Sequence, residues 1–147
     1  MKVLIKNQQR HRPLDRSTIL NAASNILSLI NQSMAELSIL FVGDKKMLEL
    51  NSMYRGKNKT TDVLSFDARI PVDISDGHDV LGDIVISVPQ AASQANAAHI
   101  DFYDELRRLL IHGILHLNGY DHETSPYMSR KMQKKEEEIF DALKKMD

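Results

Sequence analysis

The chain has 147 residues, with 19 Lys and Arg against 20 Asp and Glu, which gives a formal net charge of −1. This near-neutral balance excludes a general electrostatic attraction to nucleic acid, so any contact with RNA must come from a local basic patch. Cysteine is absent and the apolar runs are too short for a bilayer span or a signal peptide, so we expect a single cytoplasmic domain over residues 1–147, without disulfides, thiolate metal ligands or membrane association.

The first half of the chain predicts two strands, each followed by a helix. Residues 3–7 are rich in apolar and β-branched side chains and predict the first strand. Pro13 and Asp15 open a helix whose apolar positions recur at helical spacing, at Ile19, Leu20, Ala23, Ile26, Leu27 and Ile30. Residues 36–42 alternate and then run apolar, which predicts the second strand, and Asp44 is predicted to be the N-cap of the next helix.

The second half begins with two more predicted strands. A polar, basic loop at residues 55–60 leads into a strand at residues 61–67, and another strand follows at residues 81–87. Pro, Gly and Asp residues predict an irregular loop or hairpin connection at residues 69–80. A helix rich in alanine then opens near Pro89, where the missing N–H of proline costs nothing.

Two further helices complete the predicted elements. Asp101 caps a helix that is almost entirely apolar over residues 109–117, so we expect this helix to be central and buried. The last helix covers roughly residues 125–145, and the Lys-Lys-Glu-Glu-Glu run at residues 134–138 is interpreted as a solvated face. Strands and about five helices mix without strict alternation, which predicts an α+β fold with a small mixed sheet.

Three of the six histidines lie within residues 112–122. His112 and His116 are four residues apart, so on a helix both imidazoles leave from one face. Asn118 and Gly119 predict the end of that helix, because glycine tolerates the left-handed conformation of a C-terminal cap, and the chain can then bring His122 back to the same point. Three ligands of this kind, with a fourth position open, are typical of a catalytic zinc site.

The same spacing matches the metalloprotease pattern H-E-x-x-H-x-x-G-x-x-H at each histidine and at its glycine. Gly113, however, stands where the protease has its general-base glutamate, and peptide hydrolysis needs a base to take a proton from water. Glu123 follows the third histidine and is a candidate base, so the protease interpretation is weakened but stays open. Imidazole ligands predict zinc, with nickel or copper as alternatives.

Other polar residues bear on this chemistry. Asp121 is either an acceptor for the second ring nitrogen of His122 or a residue that serves only the turn. The developing negative charge of a phosphodiester would be neutralised by a cation together with an arginine, and Arg55, with Lys57 and Lys59 beyond it, offers such a group. Composition alone favours a solvated basic loop for these three residues.

Three segments of the chain resemble the YbeY family of bacterial rRNA maturation factors, which are regarded as metal-dependent single-strand endoribonucleases. The third segment is the most specific, since glycine at position 113 is what the family carries. The segments are Leu50-Asn51-Ser52-Met53-Tyr54-Arg55 through Thr61-Asp62-Val63-Leu64-Ser65-Phe66, then Leu81-Gly82-Asp83-Ile84, then His112-Gly113-Ile114-Leu115-His116-Leu117-Asn118-Gly119-Tyr120-Asp121-His122.

The resemblance implies roles by position. His112, His116 and His122 would be the zinc ligands, and Arg55 would be a catalytic or RNA-contacting residue. The fold would be a mixed four-stranded sheet with helices packed around it. The function would be 16S rRNA 3′-end processing and small-subunit quality control, with a ribosomal protein of the small subunit as partner.

Five other polar residues are not assigned a catalytic role from the sequence. Many relatives have Gly-His-Ser before the metal-bearing helix, whereas this chain has Ala98-His99-Ile100, so His99 is left without assignment. His11 and His78 lie in polar, turn-like sequence and are predicted to be surface residues. Asp83 is expected to be structural, and Asp62 is left open between a structural role and the orientation of a ligand or an arginine.

Three functional hypotheses are compatible with these residues. The first is a zinc-dependent endoribonuclease acting on single-stranded rRNA, with Arg55 holding the phosphate. The second is a metalloprotease-like hydrolase that uses the same three histidines. The third is a non-enzymatic ribosome-assembly factor in which zinc is structural.

Overall fold

A computed structural model describes residues 2–68 and 79–146 of the chain. Within these residues the chain forms four strands and five helices, which confirms the α+β class. In chain order they are β1 (Lys2–Gln8), α1 (Arg16–Leu29), β2 (Ala35–Val42), α2 (Asp44–Arg55), β3 (Val63–Asp67), β4 (Asp79–Ser87), α3 (Val88–Ala98), α4 (Phe102–Leu117) and α5 (Pro126–Met146).

The sheet is mixed and has the strand order β1-β2-β4-β3. β1 pairs with β2 and β2 with β4 in parallel, while β3 pairs with β4 antiparallel. Ile39 of β2 lies opposite Ile84 of β4, and both are fully buried. The sequence-based prediction of a mixed four-stranded sheet is therefore confirmed.

The two faces of the sheet bury cores of different size. The larger core joins the sheet to α1, α4 and α5, and the smaller one lies under α2 and contains Val42, Met47, Leu64 and Val85. Along β2 the residues alternate between buried and half-buried before ending in a buried pair, as expected of a strand covered on both faces. None of the helices in the described ranges is long and apolar enough to cross a membrane.

Side chains cap the N-termini of α1, α3 and α4. Asp15 accepts a hydrogen bond from the backbone N–H of Ser17 at the start of α1, and Asp101 accepts one from Tyr103 at the start of α4. The predicted cap at Asp44 is wrong, because Gly43 is the N-cap of α2 and contributes no side chain. Asp44 is the first residue of the helix, where a carboxylate still suits the positive end of the helix dipole.

Helix α4 is central, as predicted. Its buried residues are Phe102, Leu106, Leu109, Leu110, Ile111, Gly113, Ile114 and Leu115, and all except Gly113 belong to the larger core. A Cβ atom at Gly113 would lie 2.9 Å from Cδ1 of Ile84, closer than real Cβ contacts allow. Glycine at this position therefore lets α4 pack directly against β4.

A second glycine sets the approach of β3 to β4. Gly82 has a φ of +143°, and a Cβ atom there would lie 2.1 Å from the carbonyl oxygen of Phe66. Only glycine fits this position, which lies opposite Asp67 in the strand register. The side chain of Leu117, at the end of α4, also closes on this glycine.

The predicted strand boundaries differ slightly from the observed ones. β4 begins at Asp79, so residues 79–80 belong to a strand and not to the predicted irregular connection. β3 begins at Val63, two residues after the predicted start. The rest of the predicted connection, at residues 69–78, lies outside the described part of the chain.

Candidate metal centre

The three histidines of the motif come together at the end of α4. His112 and His116 are half-buried on the helix, and His122 is exposed in the segment that follows it. The three ring centroids are 4.9 to 5.0 Å apart, and one ring nitrogen from each residue lies within 4.8 Å of the others. The three side chains can therefore hold a single metal ion.

The helix ends where the sequence predicted. Asn118 is the C-cap, and Gly119 follows it with a φ of +90°. The backbone N–H of Gly119 donates to the carbonyl of His116, and that of Tyr120 donates to the carbonyl of Leu115. This left-handed cap turns the chain back and carries His122 to the other two histidines.

Asp121 serves the turn. One carboxylate oxygen accepts from the backbone N–H of Glu123 at 2.8 Å, and the other accepts from the hydroxyl of Thr124. The hydrogen bond from Thr124 lowers the pKa of Asp121 most, and the bond from the Glu123 backbone lowers it further. Of the two roles considered for this residue, the observed hydrogen bonds match the structural one.

A distant glutamate contacts the first histidine. Oε2 of Glu136, on α5, lies 3.1 Å from Nδ1 of His112. A neutral imidazole that donates from Nδ1 to this carboxylate presents Nε2 as its lone-pair nitrogen, the arrangement found behind many metal-bound histidines. The interpretation of residues 134–138 as only a solvated face is therefore incomplete, since Glu136 is half-buried against the site.

The other two histidines face each other through ring nitrogens. Nε2 of His116 is 3.0 Å from Nδ1 of His122. Burial lowers the pKa of His116, and the neighbouring His112 and His122 lower it further. A lowered pKa favours the neutral imidazole, which is the form that binds a metal. This donor set of three imidazoles fits zinc or a similar divalent transition metal.

Gly113, which stands where the metalloprotease pattern has its glutamate, packs against Ile84 of β4. Because a Cβ atom at Gly113 would meet the Ile84 side chain, no side chain larger than hydrogen fits there unless the Ile84 side chain shifts. The candidate base Glu123 is exposed, and its Oε1 lies 3.6 Å from Nε2 of His122. The fold thus replaces the protease base with a helix–sheet contact.

Arg55 is linked to α4, which carries two of the candidate metal ligands, through one serine. It is the last residue of α2, and its Nη2 donates to the backbone carbonyl of Ser65 on β3 at 2.9 Å. The hydroxyl of Ser65 in turn donates to the backbone carbonyl of Gly113 at 3.3 Å. The charge of Arg55 also contributes to the lowered pKa of His116. The structure therefore brings Arg55 to the side of α4 that bears the histidines.

The basic loop beyond Arg55 is held by buried and half-buried polar side chains. Asn51, which is 3% exposed, donates from Nδ2 to the carbonyl of Lys59 at 2.8 Å. Asp44 accepts from the hydroxyls of Thr60 and Ser87, at 3.2 and 2.8 Å. Sequence reasoning missed both anchors, although an asparagine among the apolar positions of α2 was an available signal.

Asp62 also has a structural role. Its carboxylate accepts from the backbone N–H of Val63 at 2.8 Å and from Nε2 of Gln94 at 3.2 Å, which ties the start of β3 to α3. Asp83 is exposed on β4, between Ser38 and Phe66 in the register. Neither carboxylate is among the residues grouped with the histidines.

Of the remaining histidines, two lie away from the metal group. His99 is the C-cap of α3 and adopts the left-handed conformation, with a φ of 56°. His11 is exposed, as predicted. His78 lies outside the described residues.

The fold and the site together define a class: an α+β protein with a candidate mononuclear metal centre of three histidines, formed by a buried helix and the turn after it. Comparison with known proteins gives the family. The model of the family described as Endoribonuclease YbeY matches residues 4–144. The chain belongs to this family.

Individual relatives agree along most of the chain. A protein of Syntrophus aciditrophicus named Endoribonuclease YbeY is 42% identical over 141 residues, which cover 95% of this chain and 88% of the relative. One of Geobacter sulfurreducens with the same name is 41% identical and covers 97% and 96%. A solution structure of TM1509 from Thermotoga maritima has a TM-score of 0.59 and 27% identity, with 97% of this chain and 93% of that chain covered.

Proposed function

We propose that this protein is a zinc-dependent endoribonuclease of single-stranded RNA, formed by residues 1–147 as one domain. The observation that carries the proposal is the convergence of three histidine nitrogens within 4.8 Å of one another. Two of the histidines lie on α4, to which Arg55 is connected through Ser65. The name of the relatives, Endoribonuclease YbeY, supports RNA as the substrate.

Each residue of the site has a chemical task. When bound, the ion supplies a Lewis acid that polarises a phosphoryl oxygen and lowers the pKa of water toward about 7. Glu136 accepts from Nδ1 of His112 and so favours the tautomer whose Nε2 carries the lone pair that a metal binds. Arg55 has five N–H donors in a planar fork, of which the Ser65 carbonyl takes one, and it binds the charged phosphate.

With a net charge of −1, the whole protein has no general electrostatic attraction to a polyanion such as RNA. A local cluster of basic residues must therefore attract the RNA. Arg55 ends α2, and Lys57 and Lys59 follow it in the loop at every second position; all three are exposed. Asn51 holds this loop through the carbonyl of Lys59. Arg55 connects this positive segment to α4, because Ser65 accepts from Arg55 and donates to Gly113. The segment also explains how an almost neutral protein takes RNA as substrate.

We further propose that the RNA is rRNA. The protein would act in 16S rRNA 3′-end maturation and ribosome quality control in the cytoplasm, with the small subunit and one of its proteins as partners. Depleting the protein in its own cells should cause precursors with unprocessed 16S 3′ ends to accumulate. Expression of the wild-type chain should remove them. Normal 3′ ends in depleted cells would contradict the assignment to rRNA.

The nuclease activity is tested with pure protein. Metal analysis should give about one zinc per chain, and a single-stranded RNA should be cut in a reaction that chelator stops and added zinc restores. A duplex of the same sequence should remain intact. The same preparations are incubated with a peptide library, where we expect no metal-dependent cleavage because Gly113 leaves the site without the protease base. Intact RNA with cleaved peptides would replace the nuclease assignment with the protease one.

The structural-zinc alternative is separated by a second measurement. If the metal served only the fold, His116→Ala would leave ribosome maturation intact in cells where the variant is present at normal level. We expect that variant to fail to restore 16S 3′ ends.

A further inference from the structure

We propose that Tyr54, backed by Phe66, is a stacking subsite for one unpaired nucleobase next to the phosphate bound by Arg55. The inference rests on the proposed function and deepens it, because it names the part of the substrate that the site reads beyond the phosphate. Nothing in the chemistry of the three histidines requires an aromatic residue at this place.

The tyrosine is exposed but not loose. Its side chain is 60% exposed, yet its ring meets the ring of Phe66 edge-on, with centroids 5.2 Å apart and planes at 69°. Phe66 is half-buried and packs against the smaller core under α2. An exposed ring that is held from behind by a core residue offers a preformed surface at little entropic cost.

Two parallel contacts place this ring and the guanidinium in one frame. Tyr54 and Arg55 are consecutive on α2, and Ser65 and Phe66 are consecutive on β3. The Tyr54 ring contacts the Phe66 ring, and the Arg55 guanidinium donates to the Ser65 carbonyl. The end of α2 is therefore held to β3 at two consecutive residues. Ser65 also bonds to Gly113 of the metal-bearing helix. The aromatic ring therefore belongs to the same α2–β3 unit that holds Arg55 and that contacts α4 through Ser65.

The chemistry of the neighbours selects a nucleobase as the occupant. Arg55, Lys57 and Lys59 give the surroundings a positive charge that suits an anionic backbone. A flat aromatic ring beside a phosphate-binding arginine is the combination with which proteins hold single-stranded nucleic acid, since every base has a π-face. In a duplex that face is covered by the neighbouring base pairs. The subsite thus supplies a reason for preference for single strands.

The test uses fluorescence of 2-aminopurine, which falls when the base stacks. The zinc-loaded protein is titrated into single-stranded 2′-O-methyl oligoribonucleotides that carry 2-aminopurine at successive positions, and a gel verifies that the strands stay intact. We expect quenching at one position with wild type and with Tyr54→Phe, which keeps the ring. Tyr54→Leu keeps apolar area without a π-face, and we expect it to lose the quenching and bind about tenfold more weakly.

Tyr127 provides the matched control. It is 64% exposed, and it lies nine residues before Glu136 on α5, which is two and a half turns and hence the opposite side of that helix. We expect Tyr127→Leu to behave as wild type. Thermal melting verifies that each variant folds. Equal loss with Tyr127→Leu, or quenching and affinity unchanged in Tyr54→Leu, would overturn the subsite.

The outcomes also separate this inference from the proposed function. If wild type cuts RNA in a metal-dependent reaction while Tyr54→Leu still quenches, the nuclease stands and the subsite falls. If wild type quenches through Tyr54 but does not cut RNA, the subsite stands and the nuclease assignment falls. Quenching by wild type of a base-paired 2-aminopurine to the same extent would overturn the subsite, because a paired base cannot stack on the ring.

Discussion

The metal centre and the basic loop are held by different kinds of contact. The three histidines lie within eleven residues of sequence, and a helix and its C-terminal cap bring them together. The loop that carries Lys57 and Lys59 is held instead by Asn51 and Asp44 of α2, through bonds that reach to Lys59, Thr60 and Ser87, and the last of these lies 43 residues away in the chain. A helix and its cap bring the candidate metal ligands together, whereas side-chain hydrogen bonds from α2 hold the loop.

The comparison also shows where the two regions meet. Ser65 accepts from Arg55 with its carbonyl and donates to Gly113 with its hydroxyl. Metal affinity should therefore depend on α4 and α5, and RNA affinity on α2 and β3. Variants in one region should leave the property of the other region intact.

The largest effect is expected for His116→Ala. Removal of one of three imidazoles leaves two ligands, too few for a stable site of this kind. We expect the purified variant to lose stoichiometric metal and all metal-dependent RNA cleavage, as checked by metal analysis and a gel assay. Circular dichroism should still show the helices of wild type. A variant that keeps one metal per chain would break the assignment of His116 as a ligand.

Arg55→Ala tests the substrate side and should have the next largest effect. Loss of one charged donor from a site that stabilises developing charge reduces rates by about a hundredfold or more. We expect cleavage to fall by this order while metal content stays at the wild-type value. Lys57→Ala is the matched loop variant, with an expected loss of only a few-fold because its side chain is exposed and contributes charge alone. Loss of metal from Arg55→Ala would contradict the expectation that metal affinity does not depend on residues of α2.

Glu136→Gln tests the metal side without removing a ligand. Substitution of a carboxylate that holds a metal-binding histidine weakens metal affinity by about 10- to 100-fold. We expect this loss in a competition titration with a chelating dye, and unchanged RNA binding by the fully loaded variant. Glu137→Gln, an exposed neighbour on α5, should match wild type. Equal affinities for Glu136→Gln and Glu137→Gln would leave the 3.1 Å contact to His112 without a role.

The smallest effect is expected for Asn51→Ala. The variant loses the hydrogen bond to the carbonyl of Lys59, which is worth about 1 kcal/mol of stability. We expect a modest decrease in the free energy of unfolding in urea and a several-fold increase in KM for RNA, because the loop is less well held. Metal affinity should not change. A fall in metal affinity with unchanged KM would contradict the expectation that Asn51 supports RNA binding and not metal binding.

Much of the fold was accessible from sequence because its signals are local. Helical spacing of apolar residues, Asp15 and Asp101 before α1 and α4, and the Asn118-Gly119 stop each act within a few residues. The cap at Asp44 failed for an equally physical reason: Gly43 occupies the cap, and the Asp44 carboxylate is engaged by Thr60, Ser87 and Gln90 from other parts of the chain. Local preference yielded to a long-range network.

The amino-acid order alone determined which imidazoles converge, because a four-residue spacing and a glycine cap leave the backbone little choice. It did not reveal that Glu136 on α5 contacts His112, or that close packing of Ile84 leaves room only for glycine at position 113. Nor did it show that Tyr54 meets Phe66 beside the Arg55–Ser65 bond. These contacts join residues that are far apart in the chain, so only the packing of helices against the sheet can specify them.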